Sequence, residues 1–178
     1  PLKQHTEIIK SWLSRRFDVM SVIGLEFEYI GAEDYFNEDA GRNQDRTRSD
    51  LAIVWEDKEK RTSMLLPEYA FTERNFGECS QEANPEPRRC HSSKMVVHSP
   101  RTQCFKAREG RAYWKYALSS NSPFLKDRLR AVPYCPFRYD FYNLMRRQLL
   151  AHCIEMDPRA GIHRVHFGIM YHADNDEL

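Results

Sequence analysis

Residues 48–73 read RSDLAIVWEDKEKRTSMLLPEYAFTE, and the fold turns on this stretch. Two runs rich in β-branched and apolar residues, about 49–56 and 62–72, flank the charged turn Glu56-Asp57-Lys58-Glu59-Lys60. That pattern predicts two strands of a hairpin. Asp50 opens the first strand, and Glu68-Tyr69-Ala70 falls near the end of the second, eighteen positions later. Side chains alternate along a strand, so Glu68 and residue 70 point to the same face. Acids carried by adjacent strands can then converge on one point.

Upstream of the hairpin, Leu2, Ile8, Ile9, Trp12, Leu13 and Phe17 recur near helical spacing among charged residues, which predicts an amphipathic helix over 2–16. From Val19 to Ile30 the apolar residues Ile23, Leu25, Phe27 and Tyr29 alternate with Glu26 and Glu28, as in a strand. Residues 31–47 are polar and acidic, a loop. Downstream, prolines punctuate an irregular insert over 74–136, with one helix near 106–118. The strongest helix spans 137–154, with Phe137, Phe141, Leu144, Met145, Gln148, Leu149 and His152 as its core stripe. Arg138, Arg146 and Arg147 lie off that stripe, either solvated or able to reach phosphates. Ile162 to Tyr171 alternates as a closing strand. The order is α-β-β-β-α-β with an insert before the second core helix, an α/β chain.

A chain of 178 residues with 41% hydrophobic and 30% charged content suits one soluble domain, expected to run from 1 to 178. No apolar run approaches the roughly 20 residues of a membrane span, and no signal-peptide pattern opens the sequence. The chain begins with Pro1, so it reads as a possible piece of something longer. A net charge of +1 does not by itself argue for nucleic acid; a phosphate-binding face has to come from clustering of the 27 basic residues. Five cysteines without a Cys-x-x-Cys pair point to reduced thiols and a cytoplasmic protein. A zinc site from Cys79, Cys90, His91 and Cys104 is disfavoured by the wide spacing of those ligands. His163 and His166 face opposite ways on the closing strand and do not pair as ligands.

The segment KAREGRAYWKY, residues 106–116, interleaves Lys106, Arg108, Arg111 and Lys115 with Tyr113, Trp114 and Tyr116. Bases stack on aromatic rings while basic groups hold phosphates. A half-buried helix with a solvated basic face has the same composition.

Phosphodiester hydrolysis needs an activated water and neutralisation of charge around phosphorus. A hard divalent cation supplies much of both, and it prefers carboxylate, carbonyl and water oxygens. Asp50 and Glu68 provide two carboxylates, and the backbone carbonyl of Tyr69 is a natural third ligand. A lysine at position 70 would stand beside the metal-bound water; Ala70 offers no amine. Taken alone the pair is weak, since Asp50 also reads as a strand-entry residue.

Four ordered motifs add to it. They are Phe27-Glu28-Tyr29, then Asp50, then Glu68-Tyr69-Ala70-Phe71-Thr72-Glu73, then Tyr142-Asn143-Leu144-Met145-Arg146 followed by Leu149-Leu150-Ala151. Together with the element order, the chain resembles the PD-(D/E)XK nuclease superfamily, and within it a bacterial group of restriction-endonuclease-like proteins. The resemblance covers nearly the whole chain. It implies a restriction-endonuclease-like core, a mixed β-sheet flanked by helices, and a Mg²⁺- or Mn²⁺-dependent endonuclease acting on DNA. It also implies Asp50, Glu68 and the Tyr69 carbonyl as metal ligands, with Glu28 as an additional acid, Glu26 its less favoured substitute, and Glu73 orienting a neighbour. Asn143, Arg146, Arg147 and Lys115 are the candidate contacts to nucleic acid. A homodimer or a partner protein of restriction or anti-phage defence belongs to the same expectation.

Departures are specific. Ala70 stands where the family has lysine, Pro67 precedes the glutamate where it suggests a bulge or an edge position, and Asn143 replaces glutamine while keeping an amide. Since the pattern around Ala70 is otherwise nearly kept, the change reads as a substitution introduced to inactivate the nuclease. The competing reading is a nuclease-dead module that binds nucleic acid or a protein through the same fold.

Overall fold

The computed structural model describes residues 2–38, 46–70, 76–77, 79, 97–132, 134–137 and 141–172. Strands β1 (Ser21–Ile30), β2 (Arg48–Glu56), β3 (Thr62–Ala70) and β4 (Arg164–Tyr171) form one sheet in the order β1-β2-β3-β4. The first two junctions are antiparallel and β3–β4 is parallel, so the sheet is mixed. Helix α1 (Leu2–Leu13) precedes β1. Four short helices follow β3: α2 (Pro100–Gln103), α3 (Phe105–Arg108), α4 (Tyr113–Ala117) and α5 (Lys126–Ala131). Helix α6 (Phe141–Met156) then returns the chain to β4, the connection that a parallel neighbour requires.

The apolar runs of the hairpin are nearly continuous because both faces of the sheet are covered. Ala52, Met64, Leu66 and Val165 pack with Met145, Leu149, Leu150 and Ile154 of α6 and with Tyr113 and Trp114 of α4. Leu51, Ile53, Trp55 and Leu65 alternate onto the opposite face, where Leu13 of α1 and Val19 close a second core. Even positions of β2 and β3 therefore face α6, and odd positions face α1. Leu149 is wholly buried; truncating such a side chain to alanine costs about 2–5 kcal/mol.

Several expectations are corrected. The helix expected over 106–118 is two, because Gly110 adopts φ 87 and breaks it. Tyr113 and Trp114 are core residues, not an open stacking platform. The buried arc of α6 is Tyr142, Met145, Leu149, Leu150, Ala151, Cys153 and Ile154, while Phe141 is exposed. It is wider than a single stripe because α6 contacts α4 as well as β2 and β4. Pro67 lies in a central strand, not at an edge: it pairs with Gly168 across the parallel junction.

Strand β1 loses its alternation at Glu28, whose backbone is left-handed at φ 52. Leu25 and Phe27 stand opposite Ile53 and Leu51, on the α1 side, whereas Tyr29 packs into the α6-side core. Phe27 is 74% exposed. Among the described cysteines no disulfide is formed; Cys90 and His91, two of the four residues weighed for zinc, lie outside the described residues.

Candidate active site

The site is built by the place where the β2–β3 ladder stops. Paired residues run from Glu56↔Thr62 to Ile53↔Leu65. Asp50 and Glu68 both lie past its last pair. Pro67 has no N–H to give the ladder, and side chains take over. The Ser49 hydroxyl lies 3.0 Å from the carbonyls of both Leu51 and Pro67, and the Tyr69 backbone N–H donates to Asp50 Oδ2 at 2.8 Å. These bonds keep the strands adjacent beyond the ladder.

Leu66 packs on the α6 side and Tyr69 on the α1 side, so alternation along β3 puts Glu68 and Ala70 on the α6 face. Glu68 is buried, and Ala70 is fully enclosed. On the β4 side their neighbours are Ile169 and Tyr171, both exposed, so the sheet is open to solvent on that flank.

Glu28 falls between the pairs Phe27↔Leu51 and Tyr29↔Ser49, which sets it opposite Asp50 on β1. Its carboxylate pairs with Arg48 at 3.1 Å, and both side chains are exposed. Left-handed backbone costs about 1–2 kcal/mol for a residue with a Cβ, so strain is stored beside the acid pair. Glu26 sits two positions earlier, opposite Ala52.

The candidate contacts to nucleic acid separate in space. Arg147 reaches the acids: its Nε lies 2.6 Å from Glu68 Oε2 and donates to the Arg48 carbonyl at 3.1 Å. Burial pulls its pKa below the ordinary arginine value, while the charges of Glu68, Asp50 and Glu28 pull the other way. One guanidinium thus feels all three acids picked out from the sequence.

Arg146 turns instead into a buried network. Glu38 accepts from the Thr47 N–H at 2.6 Å, the Thr47 hydroxyl at 2.8 Å, Arg146 Nη2 at 2.9 Å and the Tyr113 hydroxyl. Arg146 Nε also donates to Thr47 Oγ1 at 3.0 Å, and its guanidinium lies over the rings of Tyr113 and Tyr142. Neither arginine is simply solvated. The network fixes Thr47, the residue before β2, and so sets where Asp50 emerges three residues later.

Asn143 Oδ1 lies 3.4 Å from Arg146 Nη1. Gly77, at φ 84, approaches the same amide so closely that a Cβ there would meet Asn143 Nδ2 at 2.3 Å. Lys115 is elsewhere, over the Tyr116 ring, lining a cleft of about 370 Å³ with Tyr35, His152 and Arg159.

Sequence reasoning missed Glu38, and singled out Tyr113 only as a stacking ring, not as a donor to Glu38. Glu38 lies in a polar acidic loop where nothing local distinguishes it from its neighbours. The signal was an arginine on the inward arc of α6, which requires a buried partner.

A hard divalent ion fits this donor set. Among the described residues no three His, Cys, Asp or Glu side chains form a ready cage. Mg²⁺ ordinarily takes one or two carboxylates and keeps several waters, and Asp50 and Glu68 are carboxylates of the kind it takes. Glu73 lies outside the described residues.

The four-stranded mixed sheet flanked by helices is an α/β architecture compatible with a restriction-endonuclease-like core. A family model described as "Restriction Endonuclease associating with ARP" matches residues 1–178, and the chain belongs to that family. No curated protein and no solved structure matches the chain. Among the described residues no helix is long and apolar enough to cross a membrane.

Proposed function

We propose that this chain carries the centre of a metal-dependent endonuclease of the PD-(D/E)XK type, acting on phosphodiester bonds of DNA. Asp50, Glu68 and the Tyr69 carbonyl are the ligands for Mg²⁺ or Mn²⁺. The observation that supports this best is the bond from the Tyr69 N–H to Asp50 Oδ2, which ties Asp50 to the residue next to Glu68.

When bound, the cation would activate a water and neutralise charge at phosphorus. The protein's own groups do the rest. Asp50 is oriented by a backbone donor, Glu68 is held beside Arg147, and the Glu38 network anchors the start of β2. Ala70 leaves the α6 face of β3 without an amine next to the acids, so the chain is an inactivated form of its nuclease. A role in restriction or anti-phage defence follows the same reading.

Calorimetric titration with Mn²⁺ tests the ligand assignment. One ion should bind the chain, and Asp50→Asn, which keeps an acceptor for the Tyr69 N–H, should lose it. Equal binding by both proteins would remove Asp50 from the site.

A second reading, a partner-binding module, draws on Leu25 and Phe27, apolar residues left exposed on the α1 side of an edge strand. Exposed apolar patches commonly mark interaction sites, and the family description names association with ARP. Under this reading Phe27→Ser abolishes complex formation with that partner while leaving thermal stability unchanged. Retained binding would exclude this face.

A further inference from the structure

We infer that Arg147 is an internal counter-ion: in the metal-free protein its guanidinium holds the acid pair, and a divalent cation binds there only by displacing it. This rests on the reading of Asp50 and Glu68 as metal ligands.

Three observations carry it. Arg147 Nε and Glu68 Oε2 are 2.6 Å apart, a distance that leaves no room for a metal ion between them. The side chains are largely buried, 15% and 9% exposed, so the charges act on one another with little solvent screening. Burial lowers the Arg147 pKa, and the charges of Glu68, Asp50 and Glu28 oppose that lowering.

The attachment is nevertheless a loose one. Arg147 Nε is anchored to a single backbone carbonyl, that of Arg48, and its Nη1 is buried without a hydrogen bond among the described residues. A bidentate arginine–carboxylate fork satisfies two donors at once; this pair does not make one. A structural ion pair would be expected to use that geometry, whereas a displaceable one need not. Such a counter-ion spares the fold an unpaired buried Glu68 in the absence of metal, and it weakens metal binding by the repulsion between like charges.

The test compares Mn²⁺ affinity at neutral pH in the unaltered chain, in Arg147→Met and in Asp50→Asn. The inference expects Arg147→Met to bind Mn²⁺ at least about tenfold more tightly than the unaltered chain, with a correspondingly larger rise in melting temperature on adding Mn²⁺. Arg147→Gln removes the charge but keeps a donor for the Arg48 carbonyl. It should show the same tightening, and it serves should Arg147→Met fail to fold. If the unaltered chain binds Mn²⁺ through Asp50 but neither Arg147 variant binds more tightly, Arg147 is a fixed support and the inference falls alone. If none of the proteins binds Mn²⁺, the ligand assignment falls with it.

Discussion

Arg147 of α6 and Glu68 of β3 form a buried ion pair at 2.6 Å, joining the helix to the strand at the residue on which the proposed chemistry depends. Removing one partner of such a pair leaves an uncompensated charge and costs about 3–5 kcal/mol, whereas replacing both with apolar groups is often neutral. Glu68→Leu should therefore be strongly destabilising without metal, and Glu68→Leu with Arg147→Met should recover most of the loss. Urea denaturation of the two single variants and the double variant reads the coupling. Strict additivity would mean the pair does not interact.

Glu38 and Arg146 anchor the entry to β2 through Thr47 and Tyr113. A hydrogen bond to a charged group contributes about 1.5–3 kcal/mol, so Tyr113→Phe should lower stability by that order. Glu38→Leu leaves Arg146 buried without its carboxylate and should cost about 3–5 kcal/mol. Hydrogen exchange at Thr47 and Ser49 should quicken in both variants. Unchanged exchange there would show that the network does not position β2.

His166 sits against Phe17 at 4.5 Å between ring centroids and stacks on Trp55 at 5.9 Å. Burial lowers its pKa from 6.5, the nearby Arg164 lowers it further, and Glu155 opposes them. The fold favours the neutral ring, so the unfolded chain binds the extra proton between the lowered value and 6.5. This contribution to stability is complete above about pH 6.5 and declines as pH falls through the lowered value. His152, lowered chiefly by burial, acts in the same direction. Melting temperatures between pH 7.5 and 5 should therefore fall less steeply for His166→Gln than for the unaltered chain. Parallel curves would rule His166 out as a source.

The hairpin, the second core helix and the closing strand were legible because their patterns are local. The apolar runs LAIVW and MLL surround a charged turn, and Glu68 and Ala70 alternate along one strand. The reset of β1 at Glu28 was not legible, since no Gly or Asn marks the left-handed residue. Nor were the partners of the two arginines. Arg147 meets the Arg48 carbonyl, and Arg146 meets Thr47, each across 99 residues of chain. Glu38 and Tyr113 are 75 residues apart. Such pairs are fixed by the packing of α6 and α4 on the sheet, which no window of sequence contains.

The central claim is that Ala70 marks the position of an amine missing from an otherwise assembled nuclease centre. Ala70 lies on the same face of β3 as Glu68, and the residue between them donates its N–H to Asp50. Loss of one pre-organised charge-stabilising group costs about 10²–10³-fold in rate. The most direct measurement is cleavage of duplex DNA by Ala70→Lys with Mg²⁺ or Mn²⁺, with folding checked by circular dichroism. The account predicts cleavage that needs the metal, exceeds that of the unaltered chain by about two to three orders of magnitude, and disappears when Asp50→Asn is added. A folded Ala70→Lys protein that binds Mn²⁺ yet leaves DNA intact, or one whose cleavage survives Asp50→Asn, would contradict it.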